Sequence, residues 1–278
     1  MGGYAEGILV LLALNVILAY SASLPLSAGQ LNLGIAGFMG IGAYVGAYLT
    51  NAFGAALWQA VIAGAGAPAL VALAVGLPIL RTHGIYLALA TLAFGELVRA
   101  ILLNMEVVGG ASGYPVALYA DYRAVLLTAA LVIAFMLALS RSRFMLYLTA
   151  IKNDPLVAEL FGINVKALQL GALVLGAALA GIGGVIYAHY FSYIEAQHFS
   201  AILSIYIVLF VILGGTQTVI GPLVGAAFFT LLPEVLRSGA EWRFVVFAGF
   251  IILFMAIRPE GIVTSQMLRR LAGGKGAR

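Results

Sequence analysis

The chain is laid out as long apolar runs in which polar positions do not alternate with apolar ones. Alternation would mark half-wetted strands, whereas continuous runs of bilayer length mark spanning helices. Lipid offers a peptide group no hydrogen bond, so each span must satisfy its own backbone, as a helix does. The runs are 5–24, 34–50, 56–80, 83–105, 123–140, 167–190, 201–213, 221–236 and 243–257. At about 20 apolar residues per crossing, they predict an all-α, polytopic integral membrane bundle of about nine transmembrane helices.

Two stretches break this pattern. "LPLSAGQLNLG" holds Pro25, Gln30 and Asn32, and "GGTQTVIGP" holds Thr216, Gln217 and Thr218. Irregular backbone at membrane depth persists only where protein or a water-filled path surrounds it. Broken or re-entrant segments are therefore expected here, with Gln30, Asn32, Thr216, Gln217 and Thr218 as candidate lining of a translocation path. The competing reading is a pair of ordinary surface loops.

Composition supports the membrane reading. The chain is 64% hydrophobic and 9% charged, with a mean hydropathy of +1.12, against about 25% charge in a soluble domain. Without a linker rich in Pro, Ser or charge, it reads as one transmembrane domain, 1–278. Its 34 glycines include Gly42 and Gly46, and Gly221 and Gly225, at the small-xxx-small spacing that lets helices approach closely. The first twenty residues carry no Lys or Arg, which favours a retained span over a cleaved signal.

The basic residues orient the runs. If the loop 141–166 is cytoplasmic, Arg81, Arg141, Arg143, Lys152, Lys166, Arg258, Arg269, Arg270, Lys275 and Arg278 share its side, and Arg123, Arg237 and Arg243 face away. The positive-inside rule selects this arrangement, with the N-terminus outside and a basic cytoplasmic tail, 258–278.

Catalytic patterns are missing. The sequence has no G-x-x-x-x-G-K-[ST], H-E-x-x-H or G-x-S-x-G and no cysteine. His83, His189 and His198 lie on no ligand spacing, so no metal site is expected. Within the fourth run, Glu96 and Arg99 are three apart and share a helix face. Ionisable side chains inside a span usually face a bundle interior or cavity, which makes the pair candidate path lining; the alternative is an interfacial pair that snorkels. In the loop, Asp154 can cap a helix, Pro155 suits its first position and Gly162 suits the residue past its end. Leu156 and Leu160, and Val157 and Phe161, stand at i,i+4 and form an apolar ridge, with Glu159 on the flank. Such a ridge suits a partner groove or a membrane surface.

Taken in order, "AGQLNLGIAGFMGIGAY", "GIYLALATLAFGELVR", "GGASGYP", "AIKNDPLVAELFGINV", "AGIGGVIYAHYFSYIEAQHFSAILSI", "VILGGTQTVIGPLVGAAFFTLLPE" and "RPEGI" resemble the branched-chain amino acid ABC transporter permeases, and among them the M-type subunit. The resemblance covers most of the chain. It implies a transport subunit, not an enzyme, in the bacterial inner membrane. Its expected partners are a second, H-type permease subunit, a periplasmic amino acid binding protein and two cytoplasmic ATPase subunits. ATP and Mg would sit on those ATPases, with no cofactor on this chain and no nucleic acid partner. The segment Asp154, Pro155, Leu156, Val157, Glu159, Leu160, Phe161 and Gly162 would be the coupling helix that docks on an ATPase. Gln217 and Thr218 depart from a segment that is often smaller in relatives. Related permeases carry urea or short amides, which is the alternative substrate class. An ion-coupled secondary transporter is a further alternative, and would call for inverted repeats and more intramembrane carboxylates than Glu96.

Overall fold

The structure, a computed structural model, describes residues 3–235, 249, 252 and 261–263. The helices are α1 (Gly3–Ser27), α2 (Ile35–Phe53), α3 (Leu57–Ile79), α4 (Ile85–Asn104), α5 (Tyr122–Ser140), α6 (Arg143–Asn153), α7 (Pro155–Leu160), α8 (Val165–Phe191), α9 (Ala201–Gly214) and α10 (Ile220–Val235). Each apolar run from 5–24 to 221–236 coincides with one of them. The run 243–257 and the tail 258–278 lie outside the described residues, apart from positions 249, 252 and 261–263. Five helices, α1, α3, α4, α5 and α8, are long and apolar enough to cross a membrane among the described residues.

Helices α1, α2 and α8 form the centre. α3 packs on α2 and α8, α4 on α2, α5 on α1, and the α9–α10 pair on α1. Lipid tails are as apolar as leucine, so close van der Waals packing must hold such helices together. The α2–α3–α8 crossing shows how. A β-carbon on Gly42 would land on the backbone of Gly181, one on Gly181 would strike the Gly64 carbonyl, and one on Gly46 would come within 2.8 Å of Val185. Pro68 lies beside this crossing inside α3 without ending the helix. Having no N–H, it leaves the Gly64 carbonyl without its usual helical donor. In the α9–α10 pair, a β-carbon on Gly221 would meet the Gly215 carbonyl and one on Gly225 the Phe210 carbonyl.

Where the sequence suggests a break at Pro25, α1 instead runs through it to Ser27. The irregular segment is Ala28 to Gly34, and most of it is buried, including Gln30 and Asn32. The loop 141–166 is more ordered than the charge pattern suggests, since α6 and α7 fill it. At the other end of the bundle, residues from 106 to 121 and 192 to 200 form a cap of 3-10 turns. Within it Tyr114–Pro115 pairs antiparallel with Tyr193–Ile194. Asn51 pins this cap, donating from Nδ2 to the Pro115 carbonyl at 2.7 Å and accepting from the Ala117 N–H at 2.9 Å.

Candidate functional site

Helix α7 is set by its own sequence. Asp154 Oδ1 accepts from the N–H groups of Leu156 and Val157 at 2.9 and 3.1 Å, satisfying two of the donors that a helix start leaves open. Pro155 takes the first position, where a missing N–H costs nothing. Gly162 has φ +77°, the left-handed conformation that ends a helix. One face is anchored, with Ala158 buried against Ile151 and Val165. The other face is bare, with Leu156 73%, Leu160 86% and Phe161 81% exposed.

Deeper in the bundle, Glu96 and Arg99 form a paired contact on α4, with Arg99 Nε and Nη2 at 2.8 and 2.7 Å from Glu96 Oε2. Glu96 Oε1 accepts from the Ala201 N–H at 2.7 Å. The carboxylate thus caps α9 from another helix, where its charge also meets the positive end of the α9 dipole. Both side chains are about a third exposed (33% and 32%).

The start of α2 is held in the same manner, by one local side chain and two remote in sequence. Asn32 Oδ1 accepts from Gly34 N–H, Thr91 Oγ1 from Leu33 N–H and Ser204 Oγ from Ala36 N–H, at 2.8 to 2.9 Å. Gln30, by contrast, is buried with both amide atoms unpartnered among the described residues.

The remaining predicted path residues meet at the α7 end. Thr216, Gln217 and Thr218, on the α9–α10 turn, line a cavity of about 500 Å³ with Ser23 and Ser27 of α1 and Thr149, Lys152 and Asn153 of α6. Lys152 Nζ donates to Thr216 Oγ1 at 2.9 Å, and burial pulls its pKa below the ordinary lysine value. The segment after α10 returns to the same turn, where Ile262 and Val263 N–H donate to the Leu213 and Gly214 carbonyls at 2.8 and 3.0 Å.

Apart from Gln30 and Asn32, the predicted path residues therefore fall into two groups, one at each end of α9. Glu96, paired with Arg99, meets its first residue, and Thr216 to Thr218 follow its last. A helix of 14 residues separates them by about 21 Å. Sequence reading missed Ser23, Ser27, Thr149 and Lys152 as cavity residues, although the i,i+4 pair on α1 and the i,i+3 pair on α6 were visible signals. Of the histidines, His189 is buried, with Nδ1 2.7 Å from the Val185 carbonyl and Nε2 3.2 Å from Thr50 Oγ1, and His198 stacks on Tyr187.

A bundle with five helices long and apolar enough to cross a bilayer among the described residues is that of a multi-pass membrane protein. Comparison with known proteins gives the family. The model for "Branched-chain amino acid transport system / permease component" matches residues 4–256, and the chain belongs to that family. It is similar to the high-affinity branched-chain amino acid transport system permease protein LivM of Escherichia coli K12, at 28% identity over 91% of this chain. The LivM protein of Salmonella typhimurium LT2 is 26% identical over the same share. The chain spans 66% of the length of each of these relatives. No solved structure matches it.

Proposed function

We propose that the chain is a transmembrane permease subunit of an ABC importer, carrying branched-chain or other hydrophobic amino acids across the bacterial inner membrane. The observation that supports this most directly is α7, a capped helix at one end of the bundle that offers Leu156, Leu160 and Phe161 to a partner. An apolar ridge in water gains from burial in a groove. In this reading the groove belongs to a cytoplasmic ATPase subunit, which would hold the ATP and Mg. A second permease subunit and a periplasmic binding protein complete the assembly. In this reading residues 1–278 form one domain of about nine spans, with the N-terminus outside and α7 and the C-terminus inside. The Glu96–Arg99 pair borders the outer part of the path.

The test is reconstitution in proteoliposomes with the binding protein and ATPases. Uptake of L-leucine that requires ATP and the binding protein is expected. Uptake of urea or acetamide without leucine would reassign the substrate, and uptake driven by an ion gradient alone would remove the ABC reading. The chain has no native thiol, so orientation can be read from single cysteines labelled with an impermeant reagent. Ser112→Cys should label in intact cells and Asn153→Cys should not; the reverse pattern inverts the topology.

A further inference from the structure

The cavity at the α7 end is lined by groups of two hydrogen-bonding characters. Ser23, Ser27 and Thr149 each donate the hydroxyl proton to a helix carbonyl, those of Tyr20, Ser23 and Met145. Each therefore has only lone pairs left to offer the cavity. Lys152 spends one N–H on Thr216 and keeps two, and Thr216, having accepted that bond, keeps its own O–H to donate. Thr218 Oγ1 accepts from the Gly221 N–H at 3.1 Å and likewise keeps its proton. Met136, Val211 and Pro222 supply apolar wall, and among the described residues no Asp or Glu lines the space.

A lining that offers acceptor-only hydroxyls, a cation with free N–H groups and apolar wall is the complement of a zwitterion with an apolar side chain. The volume of about 500 Å³ is within the roughly 300–1,000 Å³ usual for small-molecule sites. We infer that this cavity binds a free amino acid with an apolar side chain, at the α7 end of the bundle and within this one subunit. The carboxylate lies on Lys152, Thr216 and Thr218, the ammonium on Ser23, Ser27 and Thr149, and the side chain against Met136 and Val211. Among the described residues basic amino acids find no carboxylate here, and acidic ones find one cation for two carboxylates. The inference rests on the reading that the importer carries amino acids. It adds a binding site some 21 Å of helix away from Glu96 and Arg99, beside the segment proposed to meet the ATPase.

The experiment is equilibrium binding of radiolabelled L-leucine to the purified full-length chain in lipid nanodiscs, without ATPases or binding protein. Saturable binding is expected. Losing a hydrogen bond to a charged group costs about tenfold or more in affinity. Lys152→Met should therefore weaken binding by about that factor, while Lys152→Arg stays within a few-fold of the parent. Leucinamide, which lacks the carboxylate, and 4-methylpentanoate, which lacks the ammonium, should compete at least about tenfold more weakly than leucine. If Lys152→Met does not give a monodisperse protein, Thr149→Val with Thr216→Val carries the same test. Leucine binding that is absent from the folded chain, or equal in the parent and the variants, overturns the site. No leucine binding to the parent chain, with its leucine uptake intact in the proteoliposome assay, removes this cavity alone. Uptake of urea in place of leucine removes the transport reading first, and this site with it.

Discussion

At the crossing of α2, α3 and α8, Gly42, Gly64 and Gly181 set backbone against backbone, whereas on α7 Leu160 and Phe161 stand almost fully exposed. Both regions lack charge at the contact, yet they obey opposite rules. The glycine crossing is stabilised by dispersion between surfaces that fit closely, because in lipid the hydrophobic effect does not drive helices together. Nothing larger fits, so the region has no tolerance. The α7 ridge is unfilled potential. Its shape comes from caps within nine residues of chain, and its apolar area gains free energy only when a partner removes it from water. In the proposed reading the two have complementary tasks, the bundle to hold its shape and the ridge to meet a partner.

The sharpest way to break this comparison is at the crossing. Gly42→Leu must push α2 and α8 apart, and overpacking that backbone must yield to costs about 1–3 kcal/mol or more. A cost of that size changes the folded-to-unfolded ratio by roughly 5–160-fold, so monodisperse protein recovered from membranes should fall sharply. Normal yield and thermal stability would show that the crossing is loose.

Leu160→Asp with Phe161→Asp tests the other half. The variant should insert and purify normally, because these side chains hold no part of the bundle. Retention of the ATPase on the purified complex should fall about tenfold or more, the scale of losing anchor residues worth about 2 kcal/mol at an interface. Full retention with full substrate-stimulated hydrolysis would return α7 to a helix lying on the membrane surface.

The smallest expected effect sharpens a case between the two, a polar contact inside the bundle. Removing one member of a fully buried ion pair costs about 3–5 kcal/mol. The Glu96–Arg99 pair is a third exposed, so its cost should be well below that. Glu96→Gln should lower transport more than Arg99→Gln, because Glu96 also holds the Ala201 N–H. The double variant should be no worse than Glu96→Gln alone. Three variants with parental yield and uptake would make the pair dispensable.

How much of this was legible in the chain depends on the range of the interaction. The spans were readable because each satisfies its own backbone and each is greasy along its whole length. The ends of α7 were readable for the same local reason, since Asp154 and Gly162 act on groups a few residues away. Helix α6 escaped because Arg141, Arg143 and Lys152 look like loop charges, although they flank an amphipathic helix with Leu148 and Ile151 buried. Pro25 suggested a break that did not occur, and α1 runs on to Ser27 with the Ser21 carbonyl lacking only the donor that a proline cannot supply.

The sequence by itself determined the class of molecule, the placement of its spans and the capped ridge between α6 and α8, because hydropathy and capping are properties of neighbours along the chain. Only the tertiary structure decided which polar residues meet. Glu96 reaches Ala201 across 105 positions and Lys152 reaches Thr216 across 64. Ser23 and Thr149 become two walls of one cavity only when α6 closes over the end of α1. A hydrogen bond requires about 3 Å between two atoms, and nothing in the spacing of residues along a chain fixes that distance until the helices have packed.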